Sequence, residues 1–392
     1  MKFKRVIFAI LIVSLISMGI LHSQTTDTQE IDAVRNKSVL DSKDLQVIDN
    51  FLAKTIDDLI KTRDFTSIAR TRTVILSNQS TQGQYAKQFS ESAHKYISSG
   101  LQQAQTLPQE RQFKIVLNLL ILTDGLKDPR LADLAIAKLK DNNNVIRYWA
   151  VRCITNPGLI SKLNIAEAAN GRLARRITEE LKQLLNSSPA PEDEILAVVT
   201  EFAAESILPE TEILLKQIAD IRIKQYADWS VKYELLDSAV LKSLANKINP
   251  ADSNKSVDSA RRIRDEPEIA RCFAQLYSHI MQRYLKGQGL SDNNKQYLVS
   301  VLLEIEDKSL SKLLGKTPLN IKRAVEQNNL SLLGQEYERL FGNRTKAGEL
   351  TSKLNIDYGT DANGRKLMAP QLLPDPPEIP KSPGEDTRKA GP

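Results

Sequence analysis

Apolar residues in this chain return at steps of three and four. Between Ser42 and Lys61, Leu45, Ile48, Leu52, Ile56 and Leu59 fall on one stripe, the spacing of a helix that buries a single face. Asp41 or Ser42 is placed to cap its start. Residues 82–107 read as a second helix stopped by Pro108. Residues 110–123 are apolar nearly all round, which predicts a central helix. Asp128-Pro129 opens a helix through Lys140, and Val145 to Thr155 forms another, stopped by Asn156-Pro157-Gly158. Further helices are predicted at 165–186, 192–207, 210–228, 230–248, 258–286, 293–314 and 318–341, parted by Pro, Gly and Asn clusters. No stretch shows sustained two-residue alternation of β-branched and aromatic residues, so no sheet of consequence is expected.

Helix pairs joined by short turns over some 300 residues predict an α-solenoid. Leu131-Ala-Asp-Leu-Ala-Ile-Ala-Lys-Leu-Lys-Asp141, an Asn turn, and then Val145-Ile-Arg147-Tyr-Trp-Ala150-Val-Arg-Cys-Ile154 resemble a HEAT repeat. The resemblance covers about 27 residues. It implies that Asp141 and Arg147 are the positions that pair between neighbouring units, and that Ala150 is the small residue where two helices approach closely. The expected fold is therefore all-α, a right-handed HEAT-like α-solenoid of antiparallel helix pairs with a disordered Pro-rich C-terminal tail. HEAT-like proteins are mostly scaffolds, and the resemblance implies that role.

The ends of the chain carry different signals. Lys2, Lys4 and Arg5 precede an apolar stretch from Val6 to Leu21, and the chain turns polar at His22. That pattern reads as a secretory signal ending near Ser23, with an uncleaved membrane anchor as the alternative. The expected address is extracytoplasmic: periplasm, cell envelope or secreted. Residues 24–40 read as a flexible segment and 41–347 as the helical domain. Residues 348–392 read as a disordered tail, because seven prolines between 370 and 392 are interspersed with charges. Removing residues 1–23 lowers the net charge from +6 to +3. So balanced a surface does not suggest nucleic acid as a partner.

Groups for catalysis are sparse. His94 and His279 remain after the leader, each on a predicted helix and neither in a nucleophile-elbow setting. Cys153 and Cys272 sit in helical apolar patterns and read as small buried hydrophobes. Neither zinc spacing nor a phosphate-cradling glycine loop is found. Residues 359–370 and 252–257 fail as calcium loops at required positions. No catalytic, cofactor or metal residue is assigned, and no cofactor is expected.

Two Arg clusters stand out: Arg172, Arg175 and Arg176, and Arg261, Arg262 and Arg264 beside Arg271. They read as solvated helix faces paired with nearby acids or as sites for an anionic partner. The expected function is an exported, non-enzymatic scaffold that binds a protein partner, with a membrane role only if the leader stays. Two alternatives stay open. One is an envelope enzyme on a helical toroid acting on polysaccharide, for which Trp149 and Trp229 are the aromatic candidates. The other is an N-terminally anchored envelope component.

Overall fold

A computed structural model describes residues 25–377 apart from 82, 166–167, 249–258, 288 and 317–319, the side chains of 25–27 and 259–266 aside. The expected leader at 1–23 and the end of the Pro-rich tail lie outside these residues. The described chain is all-α. Two isolated bridges, Gly342 to Ala347 and Thr360 to Lys366, are its only extended pairings. It forms two compact units, through Leu134 and from Ala135 onward.

The first unit contains α1 (Thr25–Arg35), α2 (Ser42–Lys61), α3 (Phe65–Ser77), α4 (Gly83–Ala104) and α5 (Gln109–Leu126). The stripe read from the sequence does bury α2: Ile48, Leu52, Ile56 and Leu59 are all at most 1% exposed. Each such side chain contributes about 1.5–3 kcal/mol. Asp41 caps α2 by accepting from the Lys43 and Asp44 amides, and Asp44 returns a bond to the Asp41 amide, a capping box. Helix α2 packs on α1, α3 and α4, and α5 packs on α3 and α4. Helices two apart thus pack together at α2 with α4 and at α3 with α5. Gly100 permits the close approach of α4: a Cβ there would lie 2.8 Å from Ile60 Cδ1.

The chain enters the second unit within α6 (Ala132–Ile136). There follow α7 (Asn144–Ile154), α8 (Pro157–Leu163), α9 (Ala168–Leu185), α10 (Asp193–Glu205), α11 (Glu212–Ala227), α12 (Leu236–Ile248), α13 (Ser259–Lys286) and α14 (Asp292–Ile305). A π-helical turn (Glu306–Leu310) leads into α15 (Ser311–Leu314), and α16 (Asn320–Glu326), α17 (Leu330–Phe341) and α18 (Glu349–Lys353) complete the unit. Helices α9, α11 and α13 pack in succession, as do α10, α12 and α14, with contacts between the two rows. Within this unit the helices form two alternating layers, the arrangement of a helical-repeat protein.

Several boundaries differ from the sequence reading. Residues 24–40 were expected to be loose, yet α1 buries Ile31 and Val34 against the neighbouring helices. Two apolar residues one helical turn apart anchor it despite a polar start. Helix α3 is absent from the sequence reading because Arg and Thr interrupt its apolar stripe; Ile68 and Ile75 still reach the core. The helix expected at 230–248 starts only at Leu236, since Trp229 adopts a left-handed φ of 55°. The helix expected at 318–341 is split, with Asn328 at φ 47°. The segment from Gly348 to Pro377, assigned to the tail by composition, is held on the helices by Leu350, Ile356, Tyr358 and Leu373, all buried.

Candidate functional site

The segment from Leu131 to Ile154 places its marked residues at one joint. The Asn143 side chain caps α7 by accepting from the Val145 and Ile146 amides, which fixes the start of the helix and aims Arg147 back over the turn. Arg147 Nη1 donates to the Asp141 carbonyl at 3.1 Å. Its Nη2 donates to Asn144 Oδ1 at 2.6 Å and to Glu192 Oε1 at 3.0 Å. The Asp141 carboxylate instead accepts from the Asn143 amide. The side-chain pair implied by the resemblance therefore takes another form here. Asp141 shapes the turn, and Arg147 reaches the N-cap residue of α10, 45 positions on. Ala150 is fully buried, and α7 packs on α10.

Beside Arg147 opens a cavity of about 400 Å3. Its walls are the 139–142 turn, the C-terminal end of α9 at Glu180, Gln183 and Leu184, and the 187–191 loop. Arg176 and Arg172 stand four and eight positions before Glu180 on α9, so they continue the same helix face out of the cavity. Arg172, Arg175 and Arg176 are all exposed. Arg175 Nε donates to the Gly171 carbonyl, while Glu179 pairs with Lys182 rather than with an arginine. Among the described residues none of the three arginines has an acidic partner. Arg261, Arg262 and Arg264 lie in the first turns of α13, where side chains are outside the described residues.

Sequence reading missed a buried polar network. Arg222 on α11 is fully buried. Its Nε and Nη2 donate to Asp237 Oδ1 and Oδ2 at 2.7 and 2.9 Å, and its Nη1 donates to Asp193 Oδ1 and Gln225 Oε1. The Tyr226 hydroxyl adds a 2.6 Å bond to Asp237 Oδ2. Burial works against the Arg222 charge, but the Asp237 carboxylate outweighs it and holds the arginine pKa above its ordinary value. Arg283 on α13 lies 5.6 Å from the Tyr226 ring and 5.3 Å from the Trp229 ring, with Glu234 at 3.4 Å. In sequence these residues are scattered charges on different helices, and no spacing rule joins them. The network is enclosed, and its geometry is that of a core fastener.

The remaining candidates fall separately. His94 Nε2 is 3.2 Å from both Asp133 carboxylate oxygens on the surface. His279 is buried, and its Nε2 accepts from Gln275. Cys153 and Cys272 are buried and unbonded to each other, and burial pushes the Cys272 thiol up to about 12. Trp149 is half-buried, its ring beside Tyr148 and Arg152. Trp229 is half-buried with its Nε1 donating to the Pro374 carbonyl. Among the described residues no His, Cys, Asp and Glu cluster is placed to hold a metal ion, and no helix is long and apolar enough to cross a membrane.

No family model matches the chain, and no curated protein is significantly similar to it. Among solved structures, the chain is similar to an engineered protein from a structural genomics consortium. The match has 10% identity and a TM-score of 0.30, and it covers 84% of this chain and 97% of that one.

Proposed function

We propose that this protein is an exported, HEAT-like scaffold that binds a protein partner at the joint between α7, α9 and α10. The observation that carries the reading is the cavity beside Arg147, with the exposed Arg172 and Arg176 leading out of it along one face of α9. Arginines without an acidic partner among the described residues, next to a concave surface, suit a partner that brings a carboxylate, since guanidinium groups bind carboxylates through two parallel bonds. The HEAT-like reading draws on Arg147, which fastens its own turn to a helix 45 residues later, a separation close to the length of one such repeat. The extracytoplasmic address rests on the pattern of residues 1–23, and sequencing the mature N-terminus tests it: a chain beginning near Gln24 is expected.

Partner binding is tested by photo-crosslinking in cells from position 176, with position 295 as a remote control. A discrete adduct from 176, absent from 295 and lost when Arg172 and Arg175 are both changed to Glu, is the expected result. Equal labelling from the two positions defeats the reading.

A further inference from the structure

A second surface of the same unit is already occupied by a peptide, and the peptide is the chain's own. Residues 371–375 run extended along α13, and most of their backbone polar groups are met by side chains. The Gln275 amide accepts from the Gln371 N–H and donates to its carbonyl, both at 2.9 Å. Gln282 Oε1 accepts from the Leu373 N–H at 2.9 Å, and Lys286 Nζ donates to the Leu373 carbonyl at 2.6 Å. Trp229 Nε1 donates to the Pro374 carbonyl at 3.1 Å. Gln275, Gln282 and Lys286 stand at steps of seven and four, one stripe of α13.

One side chain of the segment is buried: Leu373 is 1% exposed and Leu372 is 58% exposed, while Gln371, Pro374 and Asp375 are exposed as well. Pro374 follows, so the next position has no N–H to satisfy. Asp375 pairs with Lys286 at 2.9 Å. Side-chain amides that read a backbone recognise any chain able to lie extended, while the leucine pocket and Lys286 select its sequence. The segment follows a loop whose tip, residues 362–366, is exposed, and it belongs to no helix itself.

We propose that this face of α13 is a binding site for an extended segment of a protein partner, a leucine followed by proline and an acidic residue, and that 371–375 fills it in cis until such a segment arrives. The cis segment acts at the millimolar effective concentration typical of short tethers, so a peptide in trans reaches the unaltered protein only weakly. Weakening the tether's own leucine exposes the site. The groove shares no residue with the cavity beside Arg147, so the two readings stand or fall separately.

The test uses the full chain and a fluorescein-labelled peptide spanning 368–377. Fluorescence anisotropy is expected to show the peptide binding Leu373→Ala protein at least ~10-fold more tightly than the unaltered protein, the tether being the competitor. Adding Gln282→Ala to that protein, or placing Ala at the peptide's Leu373 position, is expected to remove the gain. Hydrogen exchange at 371–375 verifies that the cis segment has left; should those amides stay protected, Leu373→Asp replaces Leu373→Ala. Equal weak binding by altered and unaltered protein, with the segment shown to be free, overturns the proposal. So does a concentration-dependent dimer of the unaltered protein that dissolves in Leu373→Ala, because it assigns the groove to a second copy.

Discussion

Arg222 and Asp237 are joined in the interior by two parallel hydrogen bonds, with both side chains fully buried. Such a pair balances a large desolvation cost against attraction in a poorly screened medium. Removing one member leaves the other charged and alone. Asp237→Ala is expected to lower stability by about 3–5 kcal/mol, read as the shift of the urea midpoint. Arg222→Leu combined with Asp237→Leu is expected to lose less than the single change does. A double variant that is worse than Asp237→Ala contradicts the pairing.

Arg147 and Glu192 form a half-exposed link between α7 and the start of α10. Solvent screens such a pair, so its coupling in a double-mutant cycle of Arg147→Ala and Glu192→Ala is expected to be about 0.5–1 kcal/mol. Arg147→Ala alone is expected to cost more, about 1–2 kcal/mol, because the Asp141 carbonyl also loses its donor. Chemical denaturation of the four proteins measures both quantities.

Burial holds the His279 imidazole below the ordinary histidine value of 6.5. The folded chain therefore resists a proton that the unfolded chain accepts. Stability from this residue is whole above pH 6.5 and declines as pH falls from there towards the depressed folded value. Protonation at Nε2 would also remove the acceptor that Gln275 uses. Melting temperatures between pH 7.5 and 5 are expected to fall more steeply for the unaltered protein than for His279→Asn. Parallel slopes refute the assignment.

Gly342 and Gly348 face each other where α17 gives way to α18. A Cβ on Gly348 would stand 2.3 Å from both the Gly342 nitrogen and the Leu340 carbonyl oxygen. Backbone atoms cannot rotate aside as a side chain would. Gly348→Ala is expected to cost at least about 2 kcal/mol, visible as a lowered thermal midpoint. Gly334→Ala, on α17 with nothing within 4 Å of the added carbon, is the control expected to be neutral or stabilising.

Sequence periodicity revealed most of the helices because burial of a stripe is a local property: Ile48, Leu52 and Ile56 declare α2 by themselves. The Arg147 turn was legible for the same reason, although its acidic partner was not, since Glu192 lies 45 positions away. Arg172, Arg175 and Arg176 were visible as a run, but the concavity beside them depends on how α9 meets the 187–191 loop. The groove on α13 was hidden altogether. Composition from Gly348 onward speaks for solvent, and only the partners Gln275, Gln282, Lys286 and Trp229 show why a Pro-containing stretch lies down. Left-handed residues such as Trp229 break helices without a glycine or proline to announce it.

The cover of the α13 groove also has a direction in time. Trp229 precedes Pro374 by 145 positions, and Gln275 precedes Gln371 by 96. A chain made from its N-terminus completes the reading face of α13 well before the residues that close it exist. Every nascent molecule therefore passes through a stage in which this face is bare. A molecule shortened behind Pro370, by a protease or a premature stop, never leaves that stage.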